Sequence, residues 1–262
     1  MEIIESQRIG VGLTHTFNPW GESNPAWSPD GNTIAYSAQD GAVDAANWCI
    51  FRKPSNGAGK EELLYKENGR LTVTDWSPDG KYILFTSRRR GSRNTTGALN
   101  LWLLPVAGDK PDDRQPTPYL SEPHYMNNGK FSPDGHWVAY VSDESNGNQI
   151  FVQSFPPGKG KFQVSQGGGT QLSWRADGKE LYFIGAGGQL HAAEVQLQPQ
   201  FQLGAVKPLF NLSLNLSANT EDDSAPRYAV TPDGKRILAA SLSDVDTVPI
   251  TLVLNWTGLL RK

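Results

Sequence analysis

Apolar residues along this chain gather in short runs, each set behind a recurring polar turn. Ile34-Ala35-Tyr36, Ile83-Leu84-Phe85, Val138-Ala139-Tyr140, Leu181-Tyr182-Phe183 and Ile237-Leu238-Ala239 are continuous apolar triplets, not alternating ones. A short continuous run bounded by turn residues predicts a strand buried on both faces. Before each triplet stands a stretch built to one plan. The copies are Trp27-Ser28-Pro29-Asp30-Gly31, Trp76-Ser77-Pro78-Asp79-Gly80 and Phe131-Ser132-Pro133-Asp134-Gly135, then Trp174-Arg175-Ala176-Asp177-Gly178 and Val230-Thr231-Pro232-Asp233-Gly234. Proline favours the second position of a type I turn and glycine supplies the positive φ that follows, so each copy predicts a hairpin turn with a bulge. The aspartates are expected to bond turn amides. A third strand follows at Ile50-Phe51, Leu101-Trp102, Ile150-Phe151, Leu190-His191 and Ile250-Thr251, where His191 is expected to pack in place of an aromatic. Weaker fourth strands are expected at 62–65, 118–120, 162–164 and 206–210, as suits edges.

The turn aspartates recur every 43 to 56 residues. A period of that size with strands inside it predicts propeller blades. The expected fold is therefore all-β, a β-propeller of five four-stranded blades forming one domain over residues 1–262. The repeats fall near 15–66, 67–120, 121–165, 166–210 and 211–256. The fifth has no fourth strand after 250–256, whereas 8–14 is an orphan strand ahead of the first repeat. That N-terminal strand is expected to complete the last blade and close the ring.

The WSPDG stretch followed by an IAYS-like strand resembles the TolB-type, WD-like propeller repeat of bacteria. FSPDGHWVAYVSDES, WRADGKELYF and the ending PITLVLNWTGLLRK are similar to repeat regions at the C-terminal end of bacterial serine/threonine kinases and winged-helix regulators. The resemblance covers residues 8 to 262. It implies a propeller scaffold that binds proteins or ligands, and it carries over no catalytic residue.

Composition narrows the function classes. Lys and Arg number 24 against 27 Asp and Glu, a balance that argues against a broad basic face for nucleic acid. One cysteine, Cys49, excludes an internal disulfide framework and is expected to be buried. No apolar run approaches the roughly 18 residues of a spanning helix, so no membrane insertion is expected. The start MEIIESQRIG is acidic and polar where a signal peptide is basic and then apolar. As written, the chain reads as a soluble, cytoplasmic monomer; excised from a longer parent, it would be periplasmic.

Long loops at 14–24, 37–48, 88–98, 121–129 and 211–226 are expected at the face opposite the Pro-Asp-Gly turns, where function tends to sit. Arg88, Arg89, Arg90 and Arg93 form a basic cluster, either a clamp for phosphate or an acidic partner or a solvated hairpin tip. Trp20, His124 and Tyr125 make a stacking platform or a loop staple. Asp75 is the one carboxylate on the expected first strands. His15 and His124 are candidate metal ligands without a ligand-spacing motif, so no metal or other cofactor is expected. No Gly-x-Ser-x-Gly elbow and no kinase string occurs. Three readings stay open: a non-catalytic scaffold or sensor binding another protein, an upstream domain or a small ligand; a carbohydrate-active or other hydrolase or lyase with its site at the channel mouth; and a structural spacer.

Overall fold

Five Pro-Asp-Gly-type turns set the strand ends. In the computed structural model, which describes residues 4–5, 13–14, 22–39, 47–89, 99–108, 110–158, 160–212, 228–240 and 250–254, Ser28 Oγ donates to Asp30 Oδ1 at 2.6 Å. Asp30 Oδ1 also accepts the Asn32 N–H at 3.0 Å, and the Gly31 N–H closes the turn on the Ser28 carbonyl at 2.9 Å. The same device recurs at Asp79, Asp134 and Asp233, with Ser77, Ser132 and Thr231 as the hydroxyl donors. In the fourth copy the guanidinium of Arg175 replaces the hydroxyl, forking onto Asp177 at 2.6 and 2.8 Å. Hydrogen bonding from Arg175, opposed by slight desolvation and helped by the Lys179 N–H, holds the Asp177 carboxyl down at about 2. Gly31, Gly80, Gly135, Gly178 and Gly234 all sit at φ between 68° and 75°, the left-handed region that a Cβ disfavours. The repeat aspartates are thus committed to turn geometry, as the sequence implies.

Two compact units divide the chain, Met1–Gly129 and Lys130–Lys262. In the first, β1 (Ile4–Glu5) and β2 (Leu13–Thr14) form a two-stranded antiparallel sheet. The remaining strands, β3 (Glu22–Trp27), β4 (Thr33–Gln39), β5 (Asn47–Pro54), β6 (Glu62–Trp76), β7 (Tyr82–Arg89), β8 (Asn100–Pro105) and β9 (Thr117–Leu120), pair in chain order as one antiparallel sheet. The fourth strand of the first repeat and the first strand of the second, expected as separate strands, are one strand here. β6 runs for 15 residues, pairing with β5 through its first half and with β7 through its second. Gly69, at φ 143°, is the pivot, in register with both Asn47 and Arg89. Most of the expected closing strand, 8–12, and residues 255–256 lie outside the described residues.

Sheet β10 (Met126–Phe131), β11 (Trp137–Ser142), β12 (Gln149–Ser154), β13 (Lys161–Gln163) follows, the unit boundary falling inside β10. The second unit continues with β14 (Thr170–Trp174), β15 (Glu180–Ile184), β16 (Gln189–Gln196), β17 (Gln202–Asn211), and then β18 (Tyr228–Val230), β19 (Arg236–Ala240), β20 (Ile250–Leu254). Second strands are buried along both faces, as the continuous triplets require: β11 is buried at all six positions. Tyr36 stacks on Phe51 and Tyr140 on Phe151, centroids 6.0 and 5.9 Å apart. His191 takes the same place, stacked on Phe183 at 5.1 Å with the rings 5° from parallel. No helix among the described residues is long and apolar enough to cross a membrane.

Two packing features had no counterpart in the sequence reading. Arg114, 1 % exposed, donates to Glu62 Oε1 at 2.7 Å and to the carbonyl of Gly108. It ties the connection between β8 and β9 to the start of β6. Burial would raise the Glu62 carboxyl, but Arg52 and Arg114 outweigh it and hold the group below its usual range. In the second unit the β16–β17 hairpin reaches onto β11. Trp137 Nε1 donates to the Leu197 carbonyl at 3.0 Å, and Phe201 packs between Trp137 and Phe162, 5.5 and 5.0 Å from their rings.

Candidate functional site

At the end of the first sheet where segments 40–46 and 90–98 enter, β5, β6 and β7 bring together Trp48, Arg70 and Arg88. Pairing across β6 and β7 sets Arg70 directly opposite Arg88, with Arg89 opposite Gly69. Residues directly opposite in an antiparallel pair share a face, and like charges there are destabilising. The Arg70 guanidinium lies 5.5 Å from the Trp48 ring centroid, within cation–π range. Glu67, in register with Trp48, accepts from Tyr65 Oη at 3.0 Å and from Ser87 Oγ. Trp48, Arg70 and Arg88 are all partly exposed. The result is a basic, aromatic edge fixed by register.

His124 and Tyr125 reach the same end of the unit. Met126 N–H donates to the Leu99 carbonyl at 2.9 Å, beside the register pair Ser87 and Asn100. Tyr125 Oη accepts from Asn127 Nδ2 at 3.1 Å. Asp75 is not part of this group. It is in register with Leu84, five residues along β6 from Arg70, a strand distance of roughly 16 Å. Trp20, Arg90 and His15 lie outside the described residues. No cluster of three or more His, Cys, Asp or Glu with metal-holding geometry occurs among the described residues. Arg70 and Trp48 escaped the sequence reading because only register makes them neighbours of Arg88. The signal was Gly69, a lone glycine within a strand.

A second concavity, of about 550 Å³, lies within the second unit between β13, the loop after it, and the β16–β17 hairpin. Gln163, Gln166, Gln189 and His191 face it together with Phe183, Leu203, Val206 and Pro208. The loop is pinned from beneath by the buried Gln149, whose Oε1 accepts from Ser165 Oγ at 2.7 Å and from the Gly168 N–H at 3.2 Å. Gly167 and Gly168 take φ of 83° and 118° in that loop. The His191 ring fits because residue 185 is glycine, where a Cβ would come within 2.6 Å of Cε1.

No family model matches the chain. An uncharacterised protein of Agrobacterium fabrum is 29% identical over 172 residues, covering 60% of this chain and 53% of its own length. The Tol-Pal system protein TolB of Anaeromyxobacter dehalogenans is 30% identical over 107 residues, 41% of this chain and 22% of its own length. The chain therefore spans about half or less of the length of these relatives. Among solved structures, TolB from Acinetobacter baumannii superposes with a TM-score of 0.69 at 20% identity, over 94% of this chain and 54% of that one. The putative TolB from Agrobacterium tumefaciens gives 0.64 at 18%, over 94% and 81%. Oligogalacturonate lyase in complex with manganese gives 0.64 at 16%, over 94% and 68%. The class is thus the β-propeller. Within it, the chain has a TolB-like propeller fold.

Proposed function

We propose that the chain is a binding module that takes an acidic segment of a partner protein at the edge formed by Trp48, Arg70 and Arg88. The observation that carries this reading is the register pair Arg70 and Arg88. That register gathers two guanidinium groups on one face of the β6–β7 pair. A carboxylate-bearing partner suits such a face, because each guanidinium offers a planar fork that matches a carboxylate. Trp48 supports the reading by adding an amphipathic surface of the kind found at interaction anchors. His124 and Tyr125 would flank the bound segment.

The same reading takes the ring to have five four-stranded blades, in keeping with the five turn copies, and segment 8–14 as the strand that completes the blade of β18–β20. A parent longer than this chain fits the partial coverage of its relatives.

A fold shared with oligogalacturonate lyase makes catalysis the competing reading, and one screen separates the two. The purified chain is expected to turn over no chromogenic glycoside, ester or phosphate, with or without added divalent metal. It is expected to bind a fluorescein-labelled peptide carrying four consecutive Glu residues, with at least tenfold loss in the double variant Arg70→Ala, Arg88→Ala. Turnover that disappears on Asp75→Asn or His124→Ala would replace the binding reading with the enzymatic one.

A further inference from the structure

The concavity between β13 and the β16–β17 hairpin is chemically unlike the basic edge of the first unit. None of its lining residues is Asp, Glu, Lys or Arg. The charges next to it are paired with each other, Lys207 with Glu194 on the hairpin and Lys161 with Glu144 near β13. What faces the space is a set of groups that both donate and accept. Gln163 Nε2 is used on the Ser165 carbonyl at 2.8 Å, which leaves its Oε1 as an acceptor. The side-chain amides of Gln166 and Gln189 add both kinds of group. His191 Nδ1 lies 3.0 Å from the Gln189 carbonyl; a carbonyl only accepts, so Nδ1 donates to it and Nε2 is the ring nitrogen left for a ligand.

The same lining carries apolar side chains. Leu203 and Val206, each 38 % exposed, are two of the large hydrophobic side chains that the fold leaves in solvent, and Pro208 lines the space with them. A volume of about 550 Å³ falls in the range of small-molecule sites, roughly 300–1,000 Å³.

An extended peptide adding to the edge of β17, which pairs with β16 alone among the described residues, is the obvious competitor, and that edge is built against it. Pro208, in register with His191, offers no N–H to a ladder. The register shifts between Ala193 and Val195, opposite the stretch that contains Gly204, and a bulge there breaks the edge a second time.

We infer that this concavity is a binding site for a neutral, hydroxyl-rich small ligand, a sugar ring whose C–H face packs on Leu203, Val206 and Pro208 while its hydroxyls meet the three glutamines and His191 Nε2. Hydroxyls suit the lining because each is donor and acceptor at once, as the amides are. The site is independent of the acidic-partner edge, being built by residues 163–208 of the other unit.

The test is saturation-transfer NMR on the full chain with maltose, cellobiose and lactose at millimolar concentration, with galacturonate and trialanine as contrasts. At least one neutral disaccharide is expected to receive saturation on its ring C–H protons. Its affinity should fall at least tenfold in Gln166→Leu and in His191→Phe, with the melting temperature unchanged. The second variant keeps the stack on Phe183, since Phe occupies the matching position at Phe51 and Phe151. Binding of the acidic peptide should be the same in both variants, so failure here leaves the partner reading standing. No transfer to any of the three sugars, undiminished transfer in both variants, or stronger transfer to galacturonate or trialanine would overturn the inference.

Discussion

Replacing Arg114 by Met should destabilise the first unit by about 2–4 kcal/mol, read as a fall in the midpoint of urea denaturation at an unchanged slope. Arg114 is 1 % exposed and donates to Glu62 Oε1 and to the Gly108 carbonyl. Longer contacts run to the carbonyls of Val106 at 3.4 Å and Leu63 at 3.5 Å. Methionine fills much of the space but donates nothing, so the hydrogen bonds to Glu62 and to the Gly108 carbonyl are lost together. That loss, with the buried stem left beside the connection it pinned, is the larger part of the cost. The charge pair itself contributes less, because the Glu62 side chain is 43% exposed and stays paired with Arg52 at 2.7 Å. Arg114→Lys should recover part of the loss, since one ammonium cannot reproduce the fork. Arg52→Ala, which removes only the more exposed partner, should cost under about 1 kcal/mol.

Phe201→Ala should cost the second unit about 3–5 kcal/mol, because a ring 2 % exposed is removed from a closed aromatic cluster. The ring sits 5.5 Å from Trp137 and 5.0 Å from Phe162, at the point where the β16–β17 hairpin folds onto β11. Those contacts, with the Trp137 bond to the Leu197 carbonyl, fix the hairpin that forms one wall of the concavity. Leu203→Ser on the same hairpin should change the melting temperature little, since Leu203 is 38 % exposed. A cost for Leu203→Ser equal to that for Phe201→Ala would show that the hairpin is held elsewhere.

Much of this architecture could be read from residue order. The turn aspartates, the positive φ of glycines such as Gly80 and the doubly buried triplets are consequences of local chemistry, and local chemistry is written in adjacent residues. His191 as a stacking residue was legible by comparison with its sibling positions, and Cys49 as a buried one from the small apolar character of a lone cysteine beside the third-strand pair. The long β6 was not, because one glycine, Gly69, serves equally as a loop residue and as a pivot within a strand. The role of Arg114 depends on partners as far as 52 residues away, a separation at which no periodicity reports contact.

The candidate site shows the same division. Arg88, His124 and Tyr125 were visible as residue types on long connections, and the structure carries them to one end of one unit. Asp75 was grouped with them by its place on a first strand, yet strand direction puts it at the end near the Pro-Asp-Gly turn. Arg70 and Trp48 entered only through register, and the glutamine-lined concavity only through the fold of a hairpin over its neighbour.

The most direct test of the central claim is a charge swap at the register pair. Fluorescence anisotropy would follow binding of the tetra-glutamate peptide to the chain and to the double variant Arg70→Glu, Arg88→Glu, in 50 and 300 mM salt. The account predicts binding to the unaltered chain that weakens as salt rises, its loss in the double variant, and a gain of binding by that variant to the matching tetra-lysine peptide. Equal affinity of both proteins for the glutamate peptide would contradict it.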